Sequence, residues 1–330
     1  MLTMSSIPKL LRPPRLHPGD TIGVIAPSLP VMDAQWDRFA RGEQVLHRLG
    51  FQTTRGATIG PRRWWSAGTP TAVATDINAM FADPAVRAIV AHTGGFSAMA
   101  VLDRLDYDLI GAHPKPLLGM SDITLYHLAL FARCGLVGFH ADDLTEGFGT
   151  FLWDLDEAHR DDLLALYTKL LTEPAAPGPL APLTPWESWR DGQAHGPLIG
   201  GSLKRLAALA GTPYFPPLTA FDGALLFWED IGETLYDITL NLYKLRHLGL
   251  FDRIAGMLVG KLVWVNEYFP ALEHPTPRVA VLDVLGDYDF PILADLDFGH
   301  RTANLPMPIG VRAAMDATGK RFHLLEPAVE

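Results

Sequence analysis

The chain of 330 residues has a single cysteine, Cys134. One thiol closes no intrachain disulfide and builds no cysteine-rich zinc site. Its neighbours Leu130, Phe131, Leu136 and Val137 are apolar, so a buried, inert thiol is expected. A basic surplus is also missing: 27 Lys and Arg stand against 37 Asp and Glu, a net charge of -10. Nucleic-acid binders need a positive footprint to displace counterions from phosphates, so no nucleic-acid partner is expected. The pairs Arg62-Arg63 and Lys204-Arg205 are isolated and read as solvated surface. No apolar run reaches the ~18 residues of a membrane-spanning helix, so no membrane partner is expected. The opening stretch MLTMSSIPKLLRPPRLHPGD lacks a long apolar segment followed by a small-residue cleavage site, which points to the cytoplasm. H-E-x-x-H, G-x-x-x-x-G-K-[ST] and G-x-G-x-x-G patterns are absent, and with them the main support for zinc-protease, P-loop and dinucleotide functions.

What remains is an ordinary globular composition, 48% hydrophobic and 19% charged. The length suits one large domain or two of about 150 residues. The first half alternates short apolar runs with helical patterns. TIGVIAP (21–27) reads as a strand and 34–49 as a helix ended by Gly50. TPTAVATDINAMFADP reads as a helix opened by Thr69-Pro70. VRAIVAHTGG, KPLLGMSD and LVGFHAD read as buried strands, with SAMAVLDRLD and ITLYHLALFARCG as helices between them. Such alternation predicts βαβ units and a largely parallel sheet. Near residue 173 the texture changes to EPAAPGPLAPLTPWESW, whose prolines favour an irregular connector. The expected division is 1–172, a proline-rich linker over 173–197, and 198–330. The last part has its own pattern of helices SLKRLAALAG, ETLYDITLNLYKLRHLG and PTPRVAVLDVLGD with strands GALLFWED, RIAGMLVGKL and PILADLDF.

Ligands of open parallel sheets bind beyond the carboxyl ends of the strands, and the chemistry-bearing residues fall there. In GMSDIT, Ser121 stands between a strand and a helix, as at a nucleophile elbow; it also suits a plain helix N-cap. Gly94-Gly95 follows a strand and can aim backbone N–H groups at a ligand, or simply turn the chain. LLFWED exposes Glu229 and Asp230 at a strand tip, and DLDFGH does the same for His300, a fair general-base position. His140 with Asp142 and Asp143 raises a metal site, but the spacing matches no established ligand set. Together, Ser121, Glu229 and His300 give a nucleophile, acid and base order found in serine hydrolases on α/β scaffolds.

The blocks GDTIGVIAPS, DINAMFADPAVRAIVAHTGG, PKPLLGMSDIT, HGPLIGGSLKRLAALAGTPY, LLFWEDIGE and DFGHRTANLPMPIG resemble, in order and spacing, the LD-carboxypeptidase family of serine peptidases. That family includes muramoyl-tetrapeptide carboxypeptidases and microcin-C self-immunity peptidases. The resemblance implies an N-terminal α/β sandwich and a C-terminal α/β domain with the site in the cleft between them. It implies Ser121 as nucleophile, Glu229 as acid, His300 as base, and backbone N–H groups of Gly95 and Asp122 as oxyanion hole. It further implies a muropeptide or small-peptide substrate, no metal or organic cofactor, and a homodimer. Two departures concern substrate choice. Thr93 stands where many cell-wall-recycling members have arginine, and Ala141-Asp142-Asp143 where many have Gly-Pro. Trp186 and Trp189 lie where the microcin-immunity branch presents an aromatic to a nucleobase, or they pack as linker aromatics. The alternatives are a microcin-immunity-like amidase acting on peptidyl-nucleotide conjugates and a non-catalytic small-molecule binding protein.

Overall fold

The computed structural model describes residues 8–263, 265, 273–300 and 304–330. Arg301, Thr302 and Ala303 of the last resemblance block lie outside the described residues. Two sheets form the frame. The strands are β1 (Thr21–Ile25), β2 (Gln52–Arg55), β3 (Val86–Ala91), β4 (Leu117–Gly119), β5 (Phe139–His140), β6 (Gly178–Leu180) and β7 (Glu187–Arg190), then β8 (Gln193–Ser202), β9 (Leu225–Ile231), β10 (Gly256–Val263), β11 (Ile292–Leu296), β12 (Met307–Pro308), β13 (Arg312–Asp316) and β14 (Arg321–Leu324). The six-stranded sheet has the order β12-β5-β4-β3-β1-β2 and is parallel except for β12. The eight-stranded sheet has the order β6-β14-β13-β8-β9-β10-β11-β7. Its centre, β8 to β11, is parallel, and antiparallel strands flank it on both sides. Mixed α/β architecture is therefore as the sequence implies.

The helices are α1 (Trp36–Arg48), α2 (Pro70–Ala82), α3 (Tyr107–Ala112), α4 (Thr124–Cys134), α5 (Glu157–Thr172), α6 (Leu203–Leu209), α7 (Leu235–His247) and α8 (Pro277–Val284). Their ends carry the expected chemistry. Thr69 caps α2 by accepting from Ala72 N, with Pro70 in the first turn. α4 ends at Gly135 with φ 73°, a left-handed position that glycine enters without a Cβ penalty. The strands β1, β3, β4, β9 and β11 are buried on nearly every residue, and β8 is buried from Leu198 to Ser202, as parallel strands covered on both faces must be.

Three segments differ from expectation. Residues 173–197 are not an irregular connector: they hold β6, β7 and the start of β8. β6 and β7 are the outermost strands of the eight-stranded sheet. An edge position leaves one side of a strand without ladder bonds, so proline costs little there, and Pro179 sits within β6. SAMAVLDRLD forms two short 3-10 turns, Ala98–Ala100 and Leu102–Arg104, rather than one helix. The Asp122 carboxylate takes the N–H groups of Ser97 and Ala98 and anchors the segment's start. Finally, β12 comes from the second half of the chain yet joins the first sheet beside β5.

Cys134 is half-buried, and its thiol donates to the Leu130 carbonyl at 3.0 Å. Burial pushes the thiol up to about 11, so little thiolate forms at neutral pH.

Candidate active site

β4 is an apolar strand that stops at Gly119, and the chain then turns sharply into α4. Ser121 sits at the turn with φ 62°, a left-handed conformation that few non-glycine residues adopt. Strain of this kind persists where the surroundings enforce it. Here the glycine loop after β3 packs against the turn: a Cβ on Gly94 would lie 2.6 Å from Ser121 Cβ and 2.9 Å from its Oγ. Gly95, at φ 151°, is equally confined, since a Cβ there would lie 2.4 Å from Ser28 Oγ. Glycine at 94 is thus a condition for bringing backbone up to the serine, and glycine at 95 for seating the loop against Ser28 and Leu29.

Asp122 points away from the cavity and is fully buried. Its carboxylate accepts from Ser28 Oγ at 2.6 Å, from the N–H groups of Ser97 and Ala98 at 2.9 Å each, and pairs with Arg205 Nε at 2.8 Å. Arg205 also donates to the Gly95 carbonyl at 2.7 Å. One guanidinium on α6 therefore ties together the glycine loop and the serine turn. The sequence reading of Lys204-Arg205 as solvated surface holds for Lys204, which pairs with Glu233 and is half exposed, but not for Arg205. Cations in the first turn of a helix oppose its dipole, and that mismatch was the signal of a specific anionic partner. Arg205→Met is expected to lower kcat/KM at least tenfold and stability by about 2 kcal/mol, because a charged hydrogen-bonding partner is lost. Steady-state kinetics and denaturant titrations would check this; an unchanged kcat/KM would detach the ion pair from catalysis.

On the facing sheet, Glu229 near the end of β9 is fully buried. His300, in the turn after β11, donates Nδ1–H to Glu229 Oε2 at 2.7 Å. Burial alone would raise the Glu229 carboxyl, but the His300 ring and its hydrogen bond hold it below the usual range. Burial would likewise lower His300; Glu229, and then Asp230 and Asp143, outweigh it and raise the imidazole above its ordinary value. With Nδ1–H committed, a neutral His300 has Nε2 free as a proton acceptor.

The turn bearing His300 is secured on both sides. Asp297 accepts from the N–H groups of Leu183 and Thr184, from Thr184 Oγ1 and from Trp186 Nε1. Asn304, which sequence reasoning did not single out, accepts from Gly299 N at 2.6 Å and donates Nδ2–H to Asp142 Oδ1 at 2.7 Å. No spacing rule marks such an asparagine; its partners are distant in sequence. Asp142 and Asp143 both have structural duties here. Asp143 caps the turn Leu144–Phe148 through Glu146 N and Gly147 N. Burial raises Asp142 to about 7 and Asp143 to about 6. Among the described residues no group of three or more His, Cys, Asp or Glu side chains is arranged to hold a metal ion.

Ser121 and His300 line one cavity of about 530 Å³ between the two sheets, which Gly94, Gly95, Thr93 and Asp230 also border. The cations on its wall each have a carboxylate partner: Arg38 with Glu146, Lys204 with Glu233, Arg205 with Asp122. Thr93 bonds Asp143. Trp186 and Trp189 are buried, the first with its indole N–H on Asp297 and the second with its own on Glu187.

Residues 22–141 match the N-terminal domain of the LD-carboxypeptidases and residues 195–315 their C-terminal domain. The chain belongs to the LD-carboxypeptidase family. A putative carboxypeptidase of Streptomyces coelicolor is 34% identical over 97% of this chain and 98% of its own length. A probable murein peptide carboxypeptidase of Bacillus subtilis is 33% identical over 96% and 95%. The microcin C7 self-immunity protein MccF of Escherichia coli is 28% identical over 98% of both chains. A structure of MccF in complex with glutamyl sulfamoyl guanosine superposes with a TM-score of 0.86 at 25% identity, covering 97% of this chain and 100% of that one. Like its family, this LD-carboxypeptidase is a serine-type peptidase with two α/β units and the cavity between them. No helix among its described residues is long and apolar enough to cross a membrane.

Proposed function

We propose that this LD-carboxypeptidase removes the terminal D-alanine from muropeptides, cutting the amide between the L-centre of a diamino acid and D-alanine, with Ser121, His300 and Glu229 as its triad. The observation that carries this is the strained Ser121 sharing one cavity with a His300 whose Nδ1–H is fixed by buried Glu229. His300 Nε2 takes the proton from Ser121 Oγ as the oxygen attacks the substrate carbonyl. Backbone N–H groups of Gly95 and Asp122 receive the developing oxyanion. His300 then gives its proton to the departing amine, the C–N bond breaks, and D-alanine leaves. Water, deprotonated by the same imidazole, hydrolyses the acyl-serine. Glu229 stabilises the imidazolium in both halves of the cycle without accepting its proton. No step calls on a metal or organic cofactor.

The murein peptide carboxypeptidase of Bacillus subtilis supports this substrate class. Action on peptidyl-nucleotide conjugates, related to the glutamyl sulfamoyl guanosine held in the MccF complex, is disfavoured by the buried Trp186, whose indole N–H is committed to Asp297. We further propose, from the family resemblance and the N-terminal sequence, a cytoplasmic homodimer, which fractionation and light scattering of the intact protein check. The deciding assay is release of free D-alanine from a purified muramoyl tetrapeptide. D-alanine and the tripeptide are expected in equal amounts, with no release from an isomer ending in L-alanine. Cleavage of an aminoacyl sulfamoyl nucleoside without any D-alanine release would reverse the substrate assignment. Binding without cleavage of either would leave only a binding protein.

A further inference from the structure

His140 occupies a junction of the whole site. Its backbone on β5 pairs with Gly119 of β4 on one side and with Met307 of β12 on the other. β4 delivers Ser121, and β12 follows the turn that carries His300. The imidazole leaves this sheet and reaches the other one, where it meets Phe227 and Phe298 edge-on at 5.5 and 6.3 Å between ring centroids. Its Nε2 lies 4.0 Å from Glu229 Oε1, and both side chains are wholly buried.

The hydrogen-bond accounting leaves a matching pair of gaps. Glu229 Oε2 is taken by His300, whereas Oε1 has no hydrogen-bond partner among the described residues, and neither has a ring nitrogen of His140. A buried carboxylate oxygen and a buried imidazole N–H are each costly when left unpaired. Donor and acceptor stand only about 1 Å beyond hydrogen-bond length. We infer that His140 is a positioning residue for the catalytic acid: its Nε2–H donates to Glu229 Oε1, directly or through one water, and so holds Oε2 on His300. The inference rests on the triad proposed above.

The geometry explains why a histidine is used here. A carboxylate held at one oxygen can swing about its Cγ–Cδ bond; held at both, it fixes the plane in which His300 must lie. Burial keeps the His140 ring down at about 4, so it stays neutral at working pH. It therefore offers one N–H without placing a second cation beside Glu229 to compete with the imidazolium of His300. Because His140 and Glu229 belong to different sheets, the same bond sets the acid relative to the strand that presents the nucleophile.

His140→Phe retains an aromatic ring against Phe227 and Phe298 but removes the donor; His140→Gln retains an N–H. The expected result is a fall in kcat of about ten- to a hundredfold for the Phe variant, with KM unchanged, and recovery of most of the loss in the Gln variant. An unimpaired Phe variant, or equal losses in both, would overturn the role. Nitrogen-15 NMR of the wild-type ring supplies a readout that does not depend on any His140 variant folding. His140 should be neutral with the proton on Nε2, and that resonance should move in Glu229→Gln; a proton on Nδ1 alone, or a charged ring, would contradict the inference. If Ser121→Ala and Glu229→Gln are inactive while His140→Phe is not impaired, the positioning role alone fails. If Ser121→Ala remains active, the triad itself fails.

Discussion

Ser121→Ala should reduce kcat by roughly 10⁴–10⁶-fold while leaving the fold and substrate binding intact. The size of the effect follows from the chemistry. An acyl-enzyme route needs an oxygen nucleophile at one place, and the turn after β4 offers it there at φ 62°. Alanine carries the same Cβ as serine and fits the space that serine fills, so the backbone strain at this turn is unchanged. Stability should therefore be unchanged or slightly altered, which separates loss of chemistry from loss of structure. The triad must also behave as one unit. Adding His300→Ala to Ser121→Ala should cost almost nothing further, because a base without a nucleophile has no proton to take. Retention of a tenth of wild-type activity in Ser121→Ala would exclude the serine as nucleophile. The check is D-alanine release by purified variants whose circular dichroism and thermal melts match the wild type.

Glu229→Gln should lower kcat by about 10²–10⁴-fold and shift the pH profile in a direction that can be worked out beforehand. The base acts when His300 is neutral, so activity falls as the pH drops through its pKa. Burial lowers that value, but the Glu229 carboxylate reverses the effect and raises it above 6.5. The acidic limb of kcat/KM in the wild type is therefore expected above pH 6.5. Replacing the carboxylate by an amide removes the largest raising influence and leaves burial in place. Asp230 and Asp143 still face the ring, but they are lesser influences on it than Glu229, and burial continues to raise the Asp230 carboxyl in the variant. His140 is neutral throughout this range and adds no compensating charge. The limb should move to lower pH as kcat falls. The amide also accepts the His300 Nδ1–H less firmly, so the ring spends time with its proton on the wrong nitrogen. A limb that stays in place would mean that Glu229 does not govern the base.

The parts of this site that follow local rules were legible in the sequence. Strand–turn–helix around Ser121, the glycines after β3 and the carboxylates ending β9 are all marked by short-range patterns: an apolar run, a turn residue, then a polar group. The caps of α2 and α4 were visible for the same reason, since Thr69-Pro70 and Gly135 act within one turn of their own helix. What escaped detection acts over distance. Arg205 reaches Asp122 and Gly95 across 83 and 110 positions of chain, and Asn304 reaches Asp142 across 162. Pairings of that kind leave no periodicity to read. β6 and β7 escaped for another reason: proline was weighed as a breaker, while at the rim of a sheet it removes no ladder bond. The position of β12 in the first sheet could not be anticipated from two residues, Met307 and Pro308, whose place is set by their partners Phe139 and His140.

The central claim is that the strained turn presents Ser121 as a nucleophile activated by His300 and Glu229. It is tested most directly by reacting the intact protein with a fluorophosphonate and mapping the adduct by peptide mass spectrometry. A single, stoichiometric phosphonyl group on Ser121, formed in the wild type and suppressed in His300→Ala, is the predicted result. Labelling at another residue, or none in a preparation that releases D-alanine, would contradict it.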